Sequence, residues 1–402
     1  MKKGLQLILA CIFFHFCFLS HAQNVWNQKA NFSGSGRHFA VGFSIGNFGF
    51  IGTGQDSTGL RKDFWKWDQT LNAWTQIADF GGSARYKAVS FSIGNKGYLG
   101  TGTDSNGFTQ DFWEYDLGGN NWTVKSNFGG GVRDWAVGFS INGKGYFGTG
   151  QNGSGYTQDF WEYDPIGDSW TQKTNFQGGV RYGATGLSIG NKGYIGLGSD
   201  SFTPNKQFWE YDPLLDTWTQ KTDFGGIERA YAVGFSINGK GYVGTGLDAS
   251  MPPPYANDLW EYNPANDSWL QVANFGDSAV SDAMSFSIGS KGYVGTGRTV
   301  YGYENFFWEY SPPVGIMEYV QVADVNVYPN PTNSILTVEF LNPNFFTTVK
   351  ISVINIFGEI INEQDSLPSS STSLDFSNLN SGIYFLSIES KHLTFIKKII
   401  KN

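Results

Sequence analysis

The sequence predicts an all-β chain: a six-bladed β-propeller whose last blade is closed by an N-terminal strand, followed by a small Ig-like β-sandwich. Three observations carry that prediction. Trp26, Trp74, Trp122, Trp170, Trp218 and Trp269 recur in steps of 48, 48, 48, 48 and 51 residues. The composition is that of short strands and tight turns, with 53 Gly and 17% aromatic residues against 15% charged ones in 402 residues. After Pro313 the repeat stops and a different pattern of short alternating strands begins.

The first 22 residues stand apart from both. Lys2 and Lys3 precede an apolar run from Leu5 to Phe18, and Ser20-His21-Ala22 supplies small residues where a signal peptidase cuts, so residues 1–22 read as a secretory signal cleaved before Gln23. A lipoprotein signal at Cys11 is the rival, but apolar Ile12-Phe13-Phe14 follows it where a polar tether belongs. No other apolar segment is long enough to span a membrane. Both cysteines, Cys11 and Cys17, leave with the signal, which removes disulfide and thiol chemistry. Of four histidines only His38 and His392 remain, in different domains, so no metal site and no cofactor is expected. A formal charge of -8 argues against nucleic acid as a partner.

Residues 23–313 carry the repeat. Each unit holds four strand-like runs between Gly, Asn, Asp or Pro punctuation; in the third they are Trp135 to Ile141, Gly145 to Gly150, Asp159 to Tyr163 and Trp170 to Thr174. Four antiparallel strands per unit of about 45 residues make a propeller blade. The last unit stops after Tyr310 without a fourth strand, and Asn24-Val25-Trp26-Asn27-Gln28 supplies it. In the first strand, Ala136, Gly138 and Ser140 point one way and Val137, Phe139 and Ile141 the other, so the bulky face of one blade is expected against the small face of the next. Gly145 and Gly148 are expected where backbones approach closely, and Trp161 and Tyr163 where they cover the neighbouring sheet. The heptapeptide QDFWEYD occurs at 110–116 and again at 158–164 for that packing reason.

At these residues the chain resembles the kelch repeat. Paired glycines are followed by a Tyr and a Trp seven apart: Tyr115 with Trp122, Tyr163 with Trp170, Tyr211 with Trp218, Tyr262 with Trp269. Gly148-Thr149-Gly150 departs from the adjacent glycines usual in that family. The resemblance covers residues 24–313 and implies the propeller, on which both enzymes and binding modules are built.

Residues 314–324 read as a linker and 325–402 as a sandwich of about seven strands. Four motifs stand in order there: Tyr328-Pro329-Asn330-Pro331, Asn355-Ile356-Phe357-Gly358-Glu359, Leu379-Asn380-Ser381-Gly382-Ile383-Tyr384, and a basic end with Lys397 and Lys398. The region resembles the C-terminal sorting domain of the type IX (Por) secretion system of Bacteroidota. That resemblance implies the secretion machinery as partner, passage through the periplasm, and a secreted or cell-surface location, with the outer membrane surface reached through processing of the domain.

Candidate binding residues collect at one rim of the propeller. The loops after the second strands differ most between repeats, and they carry Phe108, Tyr156, Phe202, Tyr255, Tyr301 and Tyr303. Asp56, Asp104, Asp200 and Asp248 in the same loops read as turn residues. Arg37, Arg85, Arg133, Arg181 and Arg229 recur near that rim, with Val280 in the sixth unit. They read either as a ring for an acidic sugar or carboxylate or, preferably, as local staples to acidic residues. Glu114, Glu162, Glu210, Glu261 and Glu309 read as partners of Arg or Lys, and no catalytic pair stands out. The resulting expectation is a secreted or surface binding module for carbohydrate or protein. A carbohydrate-active enzyme, such as a sugar epimerase or mutarotase, is the alternative on the same scaffold.

Overall fold

The computed structural model describes residues 25–200, 203–248, 254–276, 278–312, 325–340, 349–356, 359–366, 371–390 and 393–402. The signal segment, the linker, Phe202 and Gly358 lie outside the described residues. The chain divides into two compact units, Met1–Pro313 and Val314–Asn402.

The first unit is built of six four-stranded antiparallel sheets. In the third blade the strands are Val137–Ile141, Lys144–Gly148, Phe160–Asp164 and Ser169–Lys173, paired in chain order. The first begins two residues later than its β-pattern because Trp135 is left-handed, with φ 51°. The second ends at Gly148 because Thr149 and Gly150 turn out of the sheet at φ 59° and 85°. In the sixth blade the outer strand comes from the other end of the chain: Val25–Gln28 pairs with Phe307–Ser311, Trp26 opposite Tyr310.

Blades meet as the alternation of small and bulky residues requires. A Cβ on Gly145 would lie 2.4 Å from the Phe91 ring of the preceding blade, and one on Gly193 would lie 2.4 Å from Phe139. The approaching group at Gly145 is therefore a ring, whereas at Gly148 it is backbone, the Asp159 carbonyl oxygen at 2.5 Å. Tyr163 is fully buried in a cluster with Phe91 and Phe112 of the second blade and with Phe128, and Trp161 packs on the same cluster.

A second seam explains the Tyr and Trp seven apart. The Tyr163 hydroxyl donates to Asp168 Oδ1 (2.8 Å), which also accepts from the backbone N–H of Ser126 at the end of the preceding blade (3.0 Å). Trp170 Nε1 donates to the carbonyl of the same Ser126 (3.0 Å). Five blades thus hold both backbone groups of one residue of a neighbour, the clamp repeating at Asn72, Asn120, Asp216 and Asp267, whereas in the sixth Trp26 Nε1 is buried without a protein partner. Asn24, which holds this place ahead of Trp26 in the sequence, lies outside the described residues.

The second unit packs a three-stranded sheet (Val325–Tyr328, Ile335–Phe340, Ser371–Asp375) against a four-stranded one (Val349–Asn355, Ile360–Ser366, Gly382–Ser390, Leu393–Lys401). Leu336, Val338 and Leu374 from one sheet and Ile351, Val353, Leu386 and Ile388 from the other share one core. Asn330 ties the YPNP motif to the basic end: its side chain donates to the Lys398 carbonyl (2.7 Å) and accepts from the Ile400 N–H (2.9 Å).

Candidate functional site

Residues repeated from blade to blade are consumed by packing. Arg37, Arg85, Arg133, Arg181 and Arg229 are only 1–2% exposed. Four of them form forked pairs within their own blade, with Asp63, Asp111, Asp159 and Asp258. Arg181 meets the neutral Gln207 instead (3.0 Å). Each guanidinium also donates to the carbonyl of the left-handed residue that ends the second strand, such as Thr53 or Thr149. The backbone of the same arginine faces the preceding blade, as where Gly54 N–H donates to the Arg85 carbonyl (2.8 Å). A guanidinium so enclosed offers no edge to a ligand at the rim, which corrects the anion-ring reading on access alone.

The strand glutamates answer chiefly to phenols. Tyr146 donates to Glu162 Oε2 (2.7 Å), with like pairs at Tyr98–Glu114, Tyr194–Glu210, Tyr242–Glu261 and Tyr293–Glu309. In the first blade both partners change together, to Phe50 and Lys66. The sequence reading missed this pair, although that joint change was its signature. Lysines add to it at Lys96–Glu114 and Lys240–Glu261.

On the rim, short hairpins carry the variable loops. Asp56 and Asp104 close their turns by accepting from Thr58 and Asn106 N–H. Tyr156 stacks on Tyr182 of the next blade (4.3 Å between centroids), and Tyr303 stacks on His38 across the seam (4.5 Å). Phe108 and Tyr255 are half-buried, the latter bridging to Leu247. Tyr301 is 84% exposed.

The centre of that rim is a site the sequence reading did not single out. One residue per blade, two places after the Arg or its Val280 counterpart, lines the axis: Phe39, Lys87, Trp135, Gly183, Tyr231 and Asp282. All six are left-handed, with φ between 49° and 59°. Each N–H donates to the carbonyl of its neighbour in the ring, in a closed circle of six bonds from 2.8 to 3.4 Å. Only the glycine adopts that conformation without strain, and strained backbone of this kind collects at ligand clamps. The signal was available as the second of two variable columns inside the run from Arg to Ala.

Phe39, Lys87, Trp135 and Tyr231, with Ala40, Ala88, Ala136, Ala184, Ala232 and Ala283 below them, line a cavity of about 170 Å³ at this mouth. An apolar cavity of roughly 150 Å³ holds one benzene ring. Around it, His38 Nδ1 lies 3.5 Å from Asp282 Oδ2. Asp134 accepts from the Thr103 hydroxyl (2.8 Å) and lies 3.8 Å from Lys87 Nζ. Burial lifts the Asp134 carboxyl above its ordinary value, against the Thr103 bond and the Lys87 charge. His38 Nε2, Asp134 Oδ1 and Trp135 Nε1 are buried without a protein partner.

Residues 326–402 match the family of secretion system C-terminal sorting domains. The C-terminal unit is a type IX secretion sorting domain. A sorting domain of this kind is handled by the type IX secretion machinery, which makes the protein secreted or cell-surface. The propeller is similar to the solved structure of YjhT, a kelch-repeat propeller protein, with a TM-score of 0.58 at 17% identity, over 70% of this chain and 95% of that one. At that identity the likeness concerns the fold. No curated protein matches the chain.

Proposed function

We propose that the mature protein is an extracellular binding module whose ligand, a carbohydrate or a protein surface, docks on the hairpin-bearing rim around the axial mouth. One observation carries this reading: the aromatic residues not used in blade packing gather there, with Phe39, Trp135 and Tyr231 at the centre and Tyr301 projecting outside. Aromatic faces suit sugar rings and protein hot spots alike. The test is a glycan panel probed with the mature chain, followed by Tyr301→Ala and Trp135→Ala. Binding that survives both substitutions unchanged would remove the site from this rim.

The epimerase or mutarotase reading is favoured by one feature, the His38–Asp282 pair with its unpartnered Nε2, since an oriented imidazole can carry a proton. Faster exchange of sugar anomers with the protein than with His38→Gln, followed by NMR, would support it. Equal rates would end it.

A further inference from the structure

We infer that the axial mouth is a cation cage and that Lys87 is its built-in occupant, holding the place of a weakly hydrated ammonium group on a ligand. The Lys87 ammonium lies 3.7 Å from the centre of the Trp135 ring, 4.3 Å from Tyr86 and 5.8 Å from Phe39. Asp134 Oδ2 completes the surround at 3.8 Å, and the side chain is 12% exposed. Three ring faces and a carboxylate are the groups that bind quaternary ammonium ions.

Two features make Lys87 a placeholder rather than the recognising group. Its ammonium is turned onto the rings and Asp134, so an anion at the rim would meet a charge already neutralised. Asp134 Oδ1 remains a buried acceptor with no protein partner.

Exchange of one ammonium for another leaves Asp134 compensated in both states, so no bare charge is buried on the way. A methylated ammonium gives up less hydration than the primary ammonium of a lysine, and the released lysine regains its rotamer freedom. Below the ring plane the six alanine methyls and about 170 Å³ of space accept N-methyl groups. The ligand class is thus a quaternary ammonium group, borne by a soluble choline-type molecule or by a phosphocholine lipid headgroup. This inference rests on the rim proposal for the mouth residues Phe39 and Trp135, but it needs none of the hairpin residues, so Tyr301→Ala, which tests the rim, should leave choline binding unchanged.

The experiment is isothermal titration of the mature chain with choline chloride, with sodium acetate as the anionic control. Choline should bind, Lys87→Ala should tighten it about tenfold by removing the internal competitor, and Trp135→Ala should abolish it. Lys87→Gln should move affinity in the same direction and serves if the alanine variant does not fold. Loss of choline binding in either Lys87 variant, acetate binding that requires Lys87, or no choline binding by wild type and variants alike would overturn the inference. Cosedimentation with phosphatidylcholine vesicles then separates the sources: binding assigns the lipid headgroup, and binding of free choline alone assigns the soluble one.

Discussion

Arg37 and Asp63 meet through two parallel hydrogen bonds, Nη1 to Oδ1 and Nη2 to Oδ2, each 2.8 Å long. The fork joins the start of the first strand to the start of the third within one blade, while the Arg37 backbone bonds to Glu304 and Gly297 of the sixth. One residue thereby fixes the inside of its blade and the seam beside it.

Loss of such a fork leaves a carboxylate in a partly buried place without its partner. Arg133→Ala should cost about 3 to 5 kcal/mol, read by denaturant unfolding. An unchanged midpoint would mean that the blades hold without the fork.

The fourth blade offers the reverse experiment. Its Arg181 is 2% exposed against a neutral Gln207, and burial pushes its guanidinium below the ordinary value while Asp200 works the other way. Gln207→Asp restores the charge found in four other blades and should raise the melting temperature by a few degrees, about 1 kcal/mol. A fall would show that Asp200 already neutralises the site.

Stability should fail at both ends of the pH scale. Burial alone would raise Asp63, Asp111 and Asp159, but the hydrogen bonds and charge of their arginines outweigh it and hold all three below the usual value. Their contribution is complete above the unfolded value of about 4 and is lost as pH falls through the folded one. At the alkaline end, burial pushes Tyr115 up to about 12, and burial together with a glutamate partner raises Tyr98, Tyr146 and Tyr194. That contribution is intact below pH about 10 and lost as pH rises beyond it. Unfolding midpoints measured from pH 2 to 12 should form a plateau between these limits, and a steady slope across neutral pH would contradict it.

Closure of the ring rests on Trp26, which packs on Phe275 and Tyr310 with centroids 5.0 and 5.1 Å away. Trp26→Ala should cost about 3 kcal/mol, and removing residues 24–29 should cost more because it also bares a sheet edge. Equal melting temperatures would mean that the last blade does not need this strand.

Export should require the sorting domain. A chain ending before residue 325 should accumulate folded in the periplasm, and Asn330→Ala, which frees the final strand from the YPNP loop, should slow export of the whole protein. Normal surface or medium levels of the truncated chain would refute the first expectation.

The blades were legible because period-2 alternation survives in every repeat and the step between repeats is 48 residues in all but the last, where it is 51, and because the segment around Trp26 matches the missing fourth strand. Strand ends were less legible: Trp135 and Thr149 look like strand residues, and only the hydrogen bonds of the ring and of the guanidiniums turn them left-handed. At the site, repetition drew attention to the arginines, whose constancy reflects burial. The mouth was passed over because its six residues share a conformation and not a chemistry, and side-chain type alone does not reveal a shared backbone angle.

Pairing of Val25–Gln28 with Phe307–Ser311 has a consequence for timing. The first segment of the propeller to leave the translocation channel must wait, unpaired, until nearly three hundred further residues have followed. The sorting domain emerges later still. A polypeptide cut short anywhere within the propeller therefore lacks both its circular closure and its ticket across the outer membrane, so export by this route screens out incomplete chains without any separate inspection.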